Sequence, residues 1–240
     1  MRTPLAALLA LLAAVPLSAQ GTRSTQADTS LTMVGDQVLV THTVARTRDG
    51  VESGMNRSDG LTGSARSEFD QDLPRHYAVK LAKADTSVAL DVERRGGRLV
   101  ISGTRTGTVS IPRNVRWAVA DVGMEEHLIP ALRTIPEGTR GLPVAVFRPS
   151  ADRWDQLRAS VYQVAGAMLI QLHTETGDAS RFLVTETGDL LYVETQPHGS
   201  QTTSLRRVPS AGSRRDERLQ DLLVLARSQG TPSGPERQAP

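Results

Sequence analysis

From Val38 onward the chain alternates apolar and polar residues with a period of two. In VLVTHTVAR, Val38, Val40, His42 and Val44 share one face, and Leu39, Thr41, Thr43 and Ala45 the other. In HYAVKLAK, Tyr77, Val79 and Leu81 alternate with Ala78, Lys80 and Ala82; in SVALDVE, Val88, Leu90 and Val92 alternate with Ala89, Asp91 and Glu93. RLVISG and TVSIP continue the pattern, and VAVFRP, LRASVYQV, AMLIQLHTE, RFLVTE and LLYVETQP extend it through the second half. Alternation of this kind describes strands with one buried face. The breaks RDG, SDG, RRGG and RTGT carry turn chemistry. Their spacing of roughly ten residues predicts an antiparallel meander. TETGD occurs at Thr174–Asp178 and again at Thr185–Asp189, which predicts two hairpin turns with glycine at the positive-φ position. RDGVESGMNRSDGLTGSARSE is rich in glycine and serine, and predicts a short strand pair around a mobile loop.

The stretch WAVADVGMEEHLIPAL interrupts the meander. Read as a helix from Gly123 to Ile135, it puts Met124, Leu128, Ala131, Leu132 and Ile135 on one apolar stripe, with Glu126, His127 and Pro130 pointing away. Glu125 and Glu126 then lie in the first turn, where the helix dipole favours carboxylates, and Asp121 is placed to cap. Pro130 predicts a kink or a restart. A second amphipathic helix is predicted at about 213–228, where Leu219, Leu222, Leu223 and Ala226 recur at helical spacing. The fold expected is mainly β: a strongly curved antiparallel sheet or unclosed β-barrel of roughly ten to twelve strands. One central helix packs on its concave face, burying Met124, Leu128, Leu132 and Ile135, and a further helix lies at the C-terminus.

Composition narrows the setting. MRTPLAALLALLAAVPLSAQ has one basic residue, an apolar run too short to span a bilayer and a small-residue end, the form of a cleaved export signal over residues 1–19. Residues 20–209 then form a single β-rich domain, and 210–240 a tail that ends in the Gly/Pro-rich QGTPSGPERQAP. The location expected is periplasmic or secreted, with no transmembrane segment after cleavage. The chain has no cysteine, which removes a lipid-anchor cysteine, disulfides and thiolate metal sites. The net charge of +2 comes from arginines interspersed with acids, since Lys80 and Lys83 are the only lysines. Nucleic-acid binding calls for a patch of one sign, and this pattern argues against it.

Candidate chemistry is sparse. EEHLIP offers one histidine, not the two at four-residue spacing of a zinc helix, and adjacent Glu126 and His127 diverge by about 100° on a helix. TETGD lacks the alternating ligands of a calcium loop. His42, His76, His127, His173 and His198 are isolated in sequence, and there is no GxSxG elbow. No catalytic residue, metal or cofactor is expected. Candidates to touch a ligand are Met124, Leu128 and Leu132 on the helix stripe, together with Trp117, Trp154 and Arg148, the last two in FRPSADRW.

A strand-rich, cysteine-free exported chain interrupted by one helix resembles the open-β-barrel carriers of the bacterial envelope, the LolA/LolB type, and uncharacterised secreted β-rich families. The resemblance spans about residues 30–208 in pattern only and carries over no residue. It implies a curved sheet whose concave face holds a helix and can accept acyl chains. The function expected is non-enzymatic binding or carriage of an apolar or lipid-like ligand. The alternative is a structural or interaction protein of the envelope. A hydrolase using His127 and His173 is the third reading.

Overall fold

In the computed structural model, residues 27–210 are described apart from 35, 48, 165, 176–178 and 197–204, together with Glu217 and Leu219. The expected export leader, the first TETGD turn beyond Glu175 and most of the expected C-terminal helix lie outside the described residues. Glu217 and Leu219 are helical, and Leu219 is buried.

The strands are β1 (Asp28–Val34), β2 (Gln37–Arg46), β3 (Gly50–Arg57), β4 (Thr62–Asp70), β5 (Leu73–Lys83), β6 (Thr86–Arg95), β7 (Arg98–Gly103), β8 (Gly107–Ser110), β9 (Arg116–Val119), β10 (Leu142–Arg148), β11 (Arg153–Val164), β12 (Ala167–Thr174), β13 (Ala179–Thr185), β14 (Leu190–Gln196) and β15 (Leu205–Pro209). All fifteen belong to one curved sheet in the order β8-β7-β6-β5-β4-β3-β2-β1-β15-β14-β13-β12-β11-β10-β9. The sheet does not close, because its edge strands β8 and β9 do not pair. β1 sits at its centre, hydrogen-bonded on one side to β2 and on the other to β15. One half of the sheet therefore runs out along the N-terminal meander, and the other runs back along the C-terminal one.

The alternation read from sequence becomes alternation in burial. Tyr77, Val79, Leu90, Val92, Leu99 and Ile101 are buried, while Lys80, Asp91 and Glu93 between them are exposed. β9 and β10 break this rule and also the antiparallel one. They pair parallel, and both of their faces are buried. Ala118, Val144 and Val146 pack with Leu128, Leu132, Ile170 and Phe182, whereas Trp117, Val119, Ala145 and Phe147 pack with Tyr77, Val79 and Leu90. The β9–β10 pair thus separates two cores, which is why its strands are continuously apolar, as parallel strands covered on both faces are. The residue 120–141 connection supplies the crossover that parallel neighbours need.

Three expectations are corrected. The helix predicted over Gly123–Ile135 is not continuous: it is a 3-10 turn, Glu125–His127, followed by a single α-helical turn, α1 (Ile129–Leu132). Pro130 sits in the first turn of α1, where its missing N–H costs nothing, and so the chain restarts there. Glu126, His127 and Pro130 do not point to solvent but are buried, because the turn lies inside the protein. The Gly/Ser-rich segment forms the expected strand pair, but as the full strands β3 and β4 and not as a short pair with a mobile loop. Its glycines mark close packing: a Cβ on Gly63 would come within 3.0 Å of Leu81, Met55 and Met124. The second TETGD forms the expected turn, with Gly188 at φ +86° and the Thr185 N–H donating to the Asp189 carbonyl at 2.9 Å. Among the described residues no helix is long and apolar enough to cross a membrane.

Candidate functional site

Where the rest of the inner face carries valine and leucine, the centre of the sheet carries small hydroxyls and charge. Ser30 and Thr32 on β1, His42 on β2, Ser53 on β3, Ser67 on β4 and Arg207 on β15 share that face, and the 3-10 turn delivers Glu125, Glu126 and His127 onto it. The His127 ring is fully buried between two hydroxyls, with Ser67 Oγ 2.7 Å from Nδ1 and Ser53 Oγ 2.7 Å from Nε2. Ser53 also donates to Met124 Sδ at 3.1 Å. One proton arrangement satisfies all three contacts: Nε2–H donates to Ser53, and Ser67 donates to Nδ1. Tyr77 stands edge-on to the ring, with centroids 5.3 Å apart.

Burial pushes the His127 pKa down to about 4; Glu126 acts against that shift and Arg207 adds to it. Burial, and next Asp121, push the Tyr77 phenol up, so it stays protonated. The Ser–His contacts have the length of a nucleophile–base pair, yet His127 is 0% exposed and Ser67 1%, and neither they nor Ser53 line a pocket. They are a buried, satisfied network that fixes the 3-10 turn to β3 and β4.

The sign of the consequence follows from linkage. Unfolded His127 titrates near 6.5 and folded His127 near 4, so between those values the unfolded chain binds the extra proton. His127 is thus expected to lower stability as pH falls from 6.5 towards 4, by up to about 1.4 kcal/mol per pH unit. Urea unfolding across that range checks it against His127→Asn, which should have a shallower slope. Equal slopes in the two proteins would rule out a buried neutral histidine as the source.

Beside the histidine, Arg207 is 4% exposed and fully engaged. Nη1 donates to Glu125 at 3.0 Å, Nη2 to Glu126, and Nε to Ser30 Oγ at 3.0 Å. His42 Nε2 lies 2.8 Å from Thr32 Oγ1. Asp121, 1% exposed, accepts from the Ser150 N–H at 2.9 Å and from its hydroxyl through Oδ1, while its own N–H donates to the Tyr77 oxygen at 3.1 Å.

This polar cluster forms one end of a pocket of about 650 Å³. Leu39, Val40, Met55, Leu61, Leu81 and Val193 supply its apolar wall. Thr32, His42, Asp121, Glu125, Ser150 and Arg207 supply the polar end. Val122, at the rim, is 73% exposed although apolar. Arg57 and Asp59 also line the pocket; Asp59 takes Lys83 at 2.8 Å and Arg57 at 3.1 Å, which hold its carboxyl below the usual range.

None of the residues singled out from sequence as ligand contacts lines this pocket. Met124, Leu128 and Leu132 are closed into the two cores, Met124 with the N-terminal strands and the two leucines with the C-terminal ones. Arg148 donates to the Ala120 carbonyl at 2.8 Å and to Asp155 at 2.9 Å, and Trp154 packs on Phe147 with centroids 5.2 Å apart. Trp117 lines a separate cleft of about 740 Å³ with Arg94, Arg95, Arg98 and Arg113. Pattern reading missed Arg207, Ser30, Ser53 and Ser67. A signal was present: Ser53 falls between Val51 and Met55 at the spacing of the buried face, a polar residue where the alternation calls for an apolar one. Among the described residues no three His, Asp or Glu side chains gather as a metal site.

Fold and pocket together define a class: one large, unclosed, curved mixed sheet with an open pocket beside a buried charged cluster. Two solved structures are similar in layout. One is a β-barrel-like protein of domain of unknown function DUF1849 from Brucella abortus, at 12% identity and TM-score 0.49, over 79% of this chain and 98% of that one. The other is a DUF1089 family protein from Pseudomonas aeruginosa, at 14% identity and TM-score 0.44, over 72% of this chain and 93% of that one. No protein family and no curated protein matches the chain.

Proposed function

We propose that this chain is an exported, non-enzymatic binding or carrier protein, periplasmic or secreted, for an apolar or lipid-like ligand. The observation that carries the reading is the pocket of about 650 Å³ with a wall of leucine, valine and methionine. A concave, mostly apolar site with a few polar groups at one end is the general form of a small-molecule pocket. Export rests on the leader at residues 1–19, and the LolA/LolB-type resemblance supports carriage at the level of layout. The 3-10 turn and α1 serve in this reading as the plug on the inner face, holding Asp121 and Glu125 at the pocket's polar end.

The test is direct. Native mass spectrometry of the purified protein should show a co-purifying apolar molecule, or an apolar fluorescent dye should bind with saturation. Val40→Trp fills the pocket from a half-buried position on the inner face, and is expected to weaken dye binding about tenfold with little change in stability. Undiminished dye affinity in that variant would sink the pocket reading. A protein that takes up neither lipid nor dye points to the structural or interaction role instead.

A further inference from the structure

The pocket carries one unresolved polar feature. Asp121 lines it, and Asp121 Oδ1 is engaged by Ser150, but Oδ2 is buried with no hydrogen-bond partner. A buried carboxylate oxygen without a donor is costly and uncommon in folded proteins. No guanidinium reaches Asp121 Oδ2: Arg207 is taken by Glu125, Glu126 and Ser30, and Arg148 by Asp155 and the Ala120 carbonyl. One carboxylate oxygen of a pocket-lining residue lacks a donor.

We infer that the ligand is an amphipathic amine: a protonated amine on a single aliphatic chain. Its ammonium supplies the donor that Asp121 Oδ2 lacks and pairs with that carboxylate, and its chain lies against Val40, Met55, Leu61 and Leu81. This rests on the pocket being a binding site, as proposed above, and adds the head group. A fatty acid would bring a carboxylate against Asp121 and Glu125. A zwitterionic phospholipid would bring its phosphate to the same acids, so a free amine is the fitting source. A neutral alcohol can supply the hydrogen bond but not the charge, and hydrogen bonds between charged groups are roughly twice as strong.

Isothermal titration of the full chain at neutral pH with octylamine, octanol and octanoate, each below its micelle concentration, separates these possibilities. Octylamine is expected to bind at least about tenfold more tightly than octanol, with octanoate weakest. Asp121→Asn preserves size and the Ser150 contact. It should bring octylamine to within about threefold of octanol and leave octanol itself unchanged. An amine no tighter than the alcohol, or an advantage that survives Asp121→Asn, overturns the head-group inference while leaving an apolar pocket standing. Failure of all three ligands to bind overturns the pocket reading as well. If Asp121→Asn does not fold, the comparison of head groups on the unaltered protein decides alone.

Discussion

Arg207→Ala is expected to destabilise the fold by about 3–5 kcal/mol, the usual cost of removing one partner of a buried ion pair. Arg207 is almost fully buried and joins β15 to both acids of the 3-10 turn and to Ser30 on β1. Its loss strands the Glu126 side chain, which is 1% exposed, beside Glu125 with no guanidinium between them. The cost lies in the uncompensated charge, not in the value of the pair itself. The double variant Arg207→Met/Glu126→Gln should therefore be more stable than Arg207→Ala, since it removes one buried charge with its partner and keeps the volume. Denaturant unfolding measures both. A loss under about 1 kcal/mol for Arg207→Ala would mean that the cluster is open to water and does not tie the turn to the centre of the sheet.

Leu128→Ala is expected to cost about 2–5 kcal/mol, or roughly 5–15 °C in Tm for a domain of this size. Leu128 is 1% exposed at the junction of the 3-10 turn and α1, in one core with Ala118, Val146, Ile170 and Phe182. Alanine is at least as good a helix former, so local propensity does not account for the loss. The cost comes from the cavity left against strands that cannot collapse onto it. Val122→Ala, at a 73% exposed valine six positions earlier, should change stability by no more than about 0.5 kcal/mol. An unchanged Tm for Leu128→Ala would show that the turn is not packed against the C-terminal strands.

Strand existence was legible because its cause is local. Each strand needs only one buried face, and the period of two in segments such as HYAVKLAK reports that face without knowledge of the partner. Strand number was read too low at β1, β9 and β15, which are short or show no alternation, and β3 and β4 were read as shorter than they are, where burial is expressed through absence. Gly54 and Gly63 leave room for Thr43, Leu81 and Met124, and in one dimension such a glycine reads like a loop residue. The helix stripe identified Met124, Leu128 and Leu132 as inward-facing, and they are buried. The same wheel assigned Glu126 and His127 to solvent, because a helical wheel has an outside only when solvent is there. Here the N-terminal strands cover it.

By itself, then, the sequence determined what depends on neighbours in the chain: a mainly β fold, its hairpin turns, the restart at Pro130 and the absence of cysteine chemistry. Tertiary structure alone decided what depends on residues far apart. It paired β1 with β15 so that Ser30 meets Arg207, separated by 177 positions. It also folded β9 and β10 into the interior and set Asp121 at the end of an apolar pocket. Burial of a charge is stable only where its partners arrive from other strands, and no local pattern encodes which strands those are.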